Sequence, residues 1–165
     1  MEAFVKSDIG KAREMNQDYY YVSPPDSKLK LYILADGMGG YQGGEVASEL
    51  ATTAAKNYIE SNFDNTPKER ENILKLIKSA IEYANMVVYE KSKEEKDLEG
   101  MGTTLEICLI YNNKAYIGHV PRSGLIILIS EDPVLLRPRF ISWVQKHSMI
   151  ILKKDITQAL FYSWL

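Results

Sequence analysis

The stretch Leu29-Lys30-Leu31-Tyr32-Ile33-Leu34-Ala35-Asp36-Gly37-Met38-Gly39-Gly40 decides how this chain is read. The strand-like apolar run from Leu29 to Ala35 delivers an aspartate into a glycine cluster, where backbone and bound ions can approach closely. A carboxylate followed by glycine offers a side-chain oxygen and an unobstructed carbonyl, ligands that suit the hard cations Mg²⁺ and Mn²⁺. Upstream, a second acidic cluster, Arg13-Glu14-Met15-Asn16-Gln17-Asp18, leads into another strand-like run, Asp18 to Val22. The turn formers Ser23-Pro24-Pro25-Asp26-Ser27 lie between the two runs, and the whole reads as a hairpin.

Outward from this hairpin the period changes. From Gly44 onward Ala47, Leu50, Ala51, Ala54 and Tyr58 recur at three and four residues, which predicts a helix with one face on the core. A second helix is expected to start at Thr66, with Pro67 at its first position and Glu69 completing a capping box. Its core stripe is Ile73, Ile77, Ala80, Ile81, Ala84 and Val88. The charged segment Glu90 to Glu99 reads as a solvated helix end and loop. Thr103 to Tyr111 and Lys114 to Val120 read as two strands joined at Asn112-Asn113. Strands, two long helices and strands again predict an α+β layered domain.

A chain of 165 residues suits one domain, since domains typically run to roughly 100–150 residues. A net charge of −2 gives no basic footprint, and no nucleic-acid partner is expected. The longest apolar runs, such as Leu125 to Ile129, fall far short of the ~20 residues that cross a bilayer, so no membrane span is expected. The N-terminus lacks the pattern of a signal peptide, and the single cysteine, Cys108, forms no internal disulfide; both point to a cytoplasmic setting. Cys108 itself reads as a small core residue. His119 and His147 have no spacing partner for a zinc site and read as structural. Tyr19, Tyr20 and Tyr21 are expected to alternate between core and surface. No partnered base accompanies Thr103 or Thr104, so these read as a strand entry and not as nucleophiles.

Taken in order, Arg13, Asn16-Gln17-Asp18, Asp36-Gly37-Met38-Gly39-Gly40, Gly43-Gly44-Glu45-Val46-Ala47-Ser48 and Gly100-Met101-Gly102-Thr103-Thr104 resemble the bacterial branch of the metal-dependent type 2C serine/threonine protein phosphatases. The resemblance runs over residues 1–120, the phosphatase-like catalytic core. It implies an antiparallel β-sandwich flanked by helices in α-β-β-α layers, here incomplete, with metals in a cleft at one end. It also implies hydrolysis of phosphoserine and phosphothreonine on proteins by a water that two or more Mn²⁺ or Mg²⁺ ions activate. Arg13, Asp18 and Asp36 become the catalytic residues: Asp36 bridges the ions, Gly37 gives its carbonyl, and Asp18 serves the metals directly or through water. Arg13 reads as the phosphate clamp, because a guanidinium makes two parallel charge-assisted bonds to a phosphoryl group; the bland alternative is a surface ion pair with Glu14 or Asp18. The implied partners are phosphorylated proteins and a counteracting serine/threonine kinase.

Residues 121–165 depart from the pattern and form a divergent tail of the same domain. Residues 1–118 carry 14 basic and 19 acidic side chains and residues 119–165 carry 6 and 3, so the charge inverts there. Where the family continues Gly-Asp-Ser-Arg, this chain has Pro121-Arg122-Ser123-Gly124, and Arg122, which cannot ligate a cation, stands at the acidic position. A coding frame displaced or rearranged between Val120 and His147 accounts for this, as does a shortened variant. Without the family's later aspartates the site is expected to bind metal weakly. Two alternatives to turnover follow, a catalytically inactive phosphoprotein-binding domain and a truncated fragment. Missing strands would also leave unpaired edges that favour self-association.

Overall fold

A computed structural model of the chain describes residues 2–4, 16–38, 40–121, 127–131 and 151–153. In chain order the elements are β1 (Glu2–Phe4), β2 (Asp18–Val22), β3 (Lys30–Met38), α1 (Gly40–Asn62), α2 (Arg70–Glu94), β4 (Gly102–Thr103), β5 (Leu105–Tyr111), β6 (Lys114–Val120), β7 (Ile127–Glu131) and β8 (Ile151–Lys153). The main sheet has the order β2-β3-β5-β6-β7, with β4 also on β3, and β1 pairs with β8 separately. Every pairing is antiparallel, as the α+β reading expects.

Both hairpins form where the turn chemistry places them. Ser23 closes the first, its N–H donating to the Leu31 carbonyl at 2.9 Å and its Oγ accepting from the Leu31 N–H at 3.1 Å. In the second, Asn112 and Asn113 have φ of 48° and 60°. Two consecutive left-handed residues match the right-handed twist of the strands they join, and asparagine tolerates that region. Strand β7 then adds to β6, with His119 opposite Ile127 and Ala115 opposite Glu131.

The helices form one layer. α1 packs on β2 and β3, α2 packs on β6 and β7, and the two helices pack on each other. The predicted α2 stripe is buried in full, joined by Leu76. It meets Leu31, Ile33, Leu105, Ile107 and Leu109 from the sheet in one core cluster. The other sheet face is also covered, since Tyr32, Leu34, Cys108, Ala115 and Ile117 are buried. Cys108 is therefore the core residue expected, and burial pushes its thiol up to about 12.

Three local expectations are corrected. α1 starts at Gly40, not Gly44, because tertiary packing overrides the low helix propensity of glycine. α2 starts at Arg70 behind Glu69, not at Thr66. Thr66 instead finishes the preceding turn: its N–H and Oγ1 donate to the Asn62 carbonyl at 3.0 and 2.8 Å, and Pro67 disfavours the helical region for it. The tyrosines do not alternate, as Tyr19 and Tyr20 are both exposed while Tyr21 packs on the core, because β2 is an edge of the main sheet. The charged segment Glu90 to Glu99 is solvated as expected except at Ser92 and at Leu98, both buried, the latter in a short 3₁₀ turn.

Ile77 is fully buried where α2 meets the rest of the core. Ile77→Ala is expected to cost about 2–5 kcal/mol, read as a lower urea midpoint with an unchanged slope; a loss below ~1 kcal/mol would show that the helix layer contributes little to the core.

Candidate metal centre

Register brings the two acidic clusters together. Asp18 lies directly opposite Asp36 across β2 and β3. The Gly37 N–H donates to the Gln17 carbonyl at 3.0 Å, so residues 17 and 37 form a hydrogen-bonded pair. The neighbouring pair, Asp18 and Asp36, is consequently of the non-hydrogen-bonded kind, in which opposed Cα atoms come within about 4.5 Å and side chains are closest. Both aspartates are half-buried, at the end of the sheet where β3 approaches α1.

Like charges placed directly across a ladder destabilise it. Two carboxylates about 4 Å apart repel by about 1 kcal/mol in water and about 4 kcal/mol at the effective dielectric of a protein surface. A divalent cation between them reverses the sign of that interaction, and carboxylate oxygens are the donors Mg²⁺ and Mn²⁺ prefer. The pair therefore fits a hard cation. No cluster of three or more His, Cys, Asp or Glu able to hold a metal occurs among the described residues.

Each ligand candidate is braced by its backbone. The Asp18 N–H donates to Asn16 Oδ1 at 3.0 Å, an Asx turn that sets the entry into β2. The Asp36 N–H donates to Thr104 Oγ1 and the Thr104 N–H donates to the Asp36 carbonyl, both at 3.0 Å. Gly37 has a steric reason to be glycine. A Cβ there would lie 2.0 Å from the Gly44 carbonyl oxygen and 2.7 Å from that of Gln17. Gly44 in turn leaves no room for a Cβ beside Gln17, and one on Gly43 would sit 3.0 Å from Met101 Cβ. The N-terminal part of α1 can thus press against the end of β3 that carries Asp36.

The structure places Asp18, Asp36 and Gly37 in one site, whereas Arg13, Arg122 and His147 lie outside the described residues. Sequence reasoning passed over the Thr104 hydroxyl as a partner of Asp36, since it pairs with a residue 68 positions away. It also missed a buried polar pair on the sheet face that Leu34 shares: His119 Nδ1 stands 3.4 Å from Glu106 Oε1, and Leu34, Glu106 and His119 are successive cross-strand neighbours. Alternation along Leu105 to Tyr111 puts Glu106 opposite in phase to Leu105 and Ile107, the one available signal.

A family model for protein phosphatase 2C matches residues 10–137. The chain belongs to the protein phosphatase 2C family. Protein phosphatase PhpP of Streptococcus pneumoniae is 33% identical over 135 residues, which cover 80% of this chain and 52% of the relative. Serine/threonine protein phosphatase PstP of Mycobacterium tuberculosis is 35% identical over 139 residues, 80% of this chain and 25% of the relative. The chain spans about half the length, or less, of these relatives. A crystal structure of the Mycobacterium tuberculosis phosphatase superposes with a TM-score of 0.61 at 30% identity, covering 88% of this chain and 63% of that one. The catalytic domain of PstP in complex with 2 manganese ions superposes equally, with a TM-score of 0.61 at 31% identity, 84% of this chain and 60% of that one. The expected fold is thus the fold of this phosphatase family.

The Gly37 contacts generate a prediction independent of any ligand. Gly37→Ala forces α1 away from β3 and should lower stability by at least ~1–3 kcal/mol, the usual range for overpacking. Thermal unfolding of the metal-free protein checks it, and an unchanged midpoint would mean that α1 and the Asp36 loop are not in contact.

Proposed function

We propose that this chain supplies the N-terminal part of a phosphatase centre that hydrolyses phosphoserine and phosphothreonine on proteins. The observation that carries this reading is Asp18 set opposite Asp36 on adjacent strands, with Gly37 next to Asp36. Asp36 would hold the ions, Gly37 would contribute its carbonyl, and Asp18 would reach the ions directly or through water. Mn²⁺ or Mg²⁺, when bound, acidifies water for attack and neutralises charge on the phosphoryl oxygens.

The other roles belong to the chain's own side chains. Arg13 orients the phosphoryl group through a planar fork of donors that a lysine does not reproduce. Met38 has no titratable group, so the proton for the departing serine or threonine oxygen comes from water or from elsewhere in the site. Support comes from the relatives, which carry the names of protein and serine/threonine phosphatases, and from the manganese-bound PstP structure. Phosphoproteins are the proposed substrates, a counteracting serine/threonine kinase the proposed functional partner, and the cytoplasm the proposed location.

Hydrolysis of p-nitrophenyl phosphate and of a phosphothreonine peptide, with and without Mn²⁺, tests the reading. Turnover should require the metal and fall by on the order of 100-fold or more in Asp36→Asn, the scale on which single preorganised charge contacts act. Phosphopeptide binding without any metal-stimulated turnover would overturn it and assign a recognition module instead.

A further inference from the structure

The ladder beside Asp36 is irregular in one informative respect. Register runs in step across β3 and its neighbours, since Leu34 opposes Glu106 and Gly37 opposes Thr103, which sets Asp36 opposite Thr104. Such a pair in an antiparallel sheet exchanges two backbone bonds. Here one is regular, from the Thr104 N–H to the Asp36 carbonyl, and the return bond from the Asp36 N–H ends on the Thr104 hydroxyl, 3.0 Å away. The Thr104 carbonyl accepts from Thr103 Oγ1 at 2.9 Å. Thr104 accordingly belongs to neither β4 nor β5, and the strand breaks there.

Building on the metal-site reading above, we propose that Thr104 is a positioning residue that sets the backbone of Asp36, and through it the carboxylate, for metal binding. A side-chain acceptor reaches Asp36 without the carbonyl-to-amide spacing of a regular pair, so the residue at the metal end of β3 is held by a group the neighbouring strand can aim independently. The bond spans 68 residues and couples the Asp36 end of β3 to the segment carrying Gly100, Met101 and Gly102. That segment also packs on α1, where Met101 lies against Gly43. The Gly-Met-Gly-Thr-Thr block thus acts on the site through the Asp36 backbone, and threonine is needed at its last position for its hydroxyl and not for its β propensity. Only a hydroxyl residue serves there: valine has the same shape and no acceptor, and an unsatisfied backbone donor carries its own penalty.

The test compares Thr104→Val and Thr104→Ser with the unchanged chain by three readouts: thermal unfolding without metal, hydrogen exchange of the Asp36 amide without metal, and Mn²⁺ affinity by calorimetry. Thr104→Val is expected to speed Asp36 amide exchange and to weaken Mn²⁺ binding by about tenfold or more, the usual effect of losing a group that orients a metal ligand. Thr104→Ser should restore both, at an unfolding midpoint close to that of the valine variant. Unaltered Mn²⁺ affinity in Thr104→Val would overturn the proposal, as would a serine variant as impaired as the valine one. An unchanged chain that binds no Mn²⁺ would overturn the metal reading and this proposal with it. Exchange at Asp36 is read on metal-free protein, so that outcome is distinct from a failure of Thr104 to hold Asp36.

Discussion

Two carboxylates face each other across neighbouring strands, and the structure around them is arranged to keep them there. Asp18 and Asp36 oppose each other in the class of pair that brings side chains closest. An arrangement that is unfavourable for the strand ladder needs support from elsewhere. The support is backbone bonding on each side: Asn16 at the Asp18 amide, Gln17 at the Gly37 amide, and Thr104 at both backbone groups of Asp36. Ladder bonds that continue down β2 and β3 to the Ser23 turn forbid a one-residue slip, which would send the two aspartates to opposite faces.

Gly37, beside this pair, has a packing role besides the ligand role proposed for it. The usual explanation for glycine after a metal-binding aspartate is an accessible carbonyl. In this chain the space a Gly37 side chain would fill is occupied by the Gly44 carbonyl, so the same residue also lets α1 close over the end of β3. Gly43 and Gly44 reciprocate from the helix side. Gly37 and Gly44 meet backbone to backbone, a joint with no side chains to change rotamer.

Elements governed by local chemistry were legible in the sequence, and those governed by distant contacts were not. The Asn112-Asn113 hairpin and the α2 core stripe follow from turn preference and period alone, and both form as expected. The starts of the helices were misplaced because the deciding partners lie elsewhere. At the start of α1, Gly43 lies against Met101 and Gly44 against Gly37 of β3, and Thr66 is drawn into the end of α1 by Asn62. For the candidate site, the identities of Asp18, Asp36 and Gly37 were legible from a short stretch. Their bracing was hidden, since neither the Thr104 hydroxyl nor the Gly44 carbonyl is signalled by residue type or spacing.

This division has a physical origin. Asp18 and Asp36 belong to one hairpin, so the loop that must close to bring them together is short and its entropic cost small. Their meeting is a local event, achieved as soon as β2 and β3 pair. Precision is a different matter, because a two-stranded ribbon alone is marginally stable and twists freely. Pairing with β5 and docking of α1 fix the twist, and they do so at the metal end through Thr104 and Gly44 respectively. The identity of the two aspartates is therefore encoded within about twenty residues of chain, while their geometry is encoded across the whole α+β layer. A fragment carrying the hairpin alone would keep the ligands and lose the site.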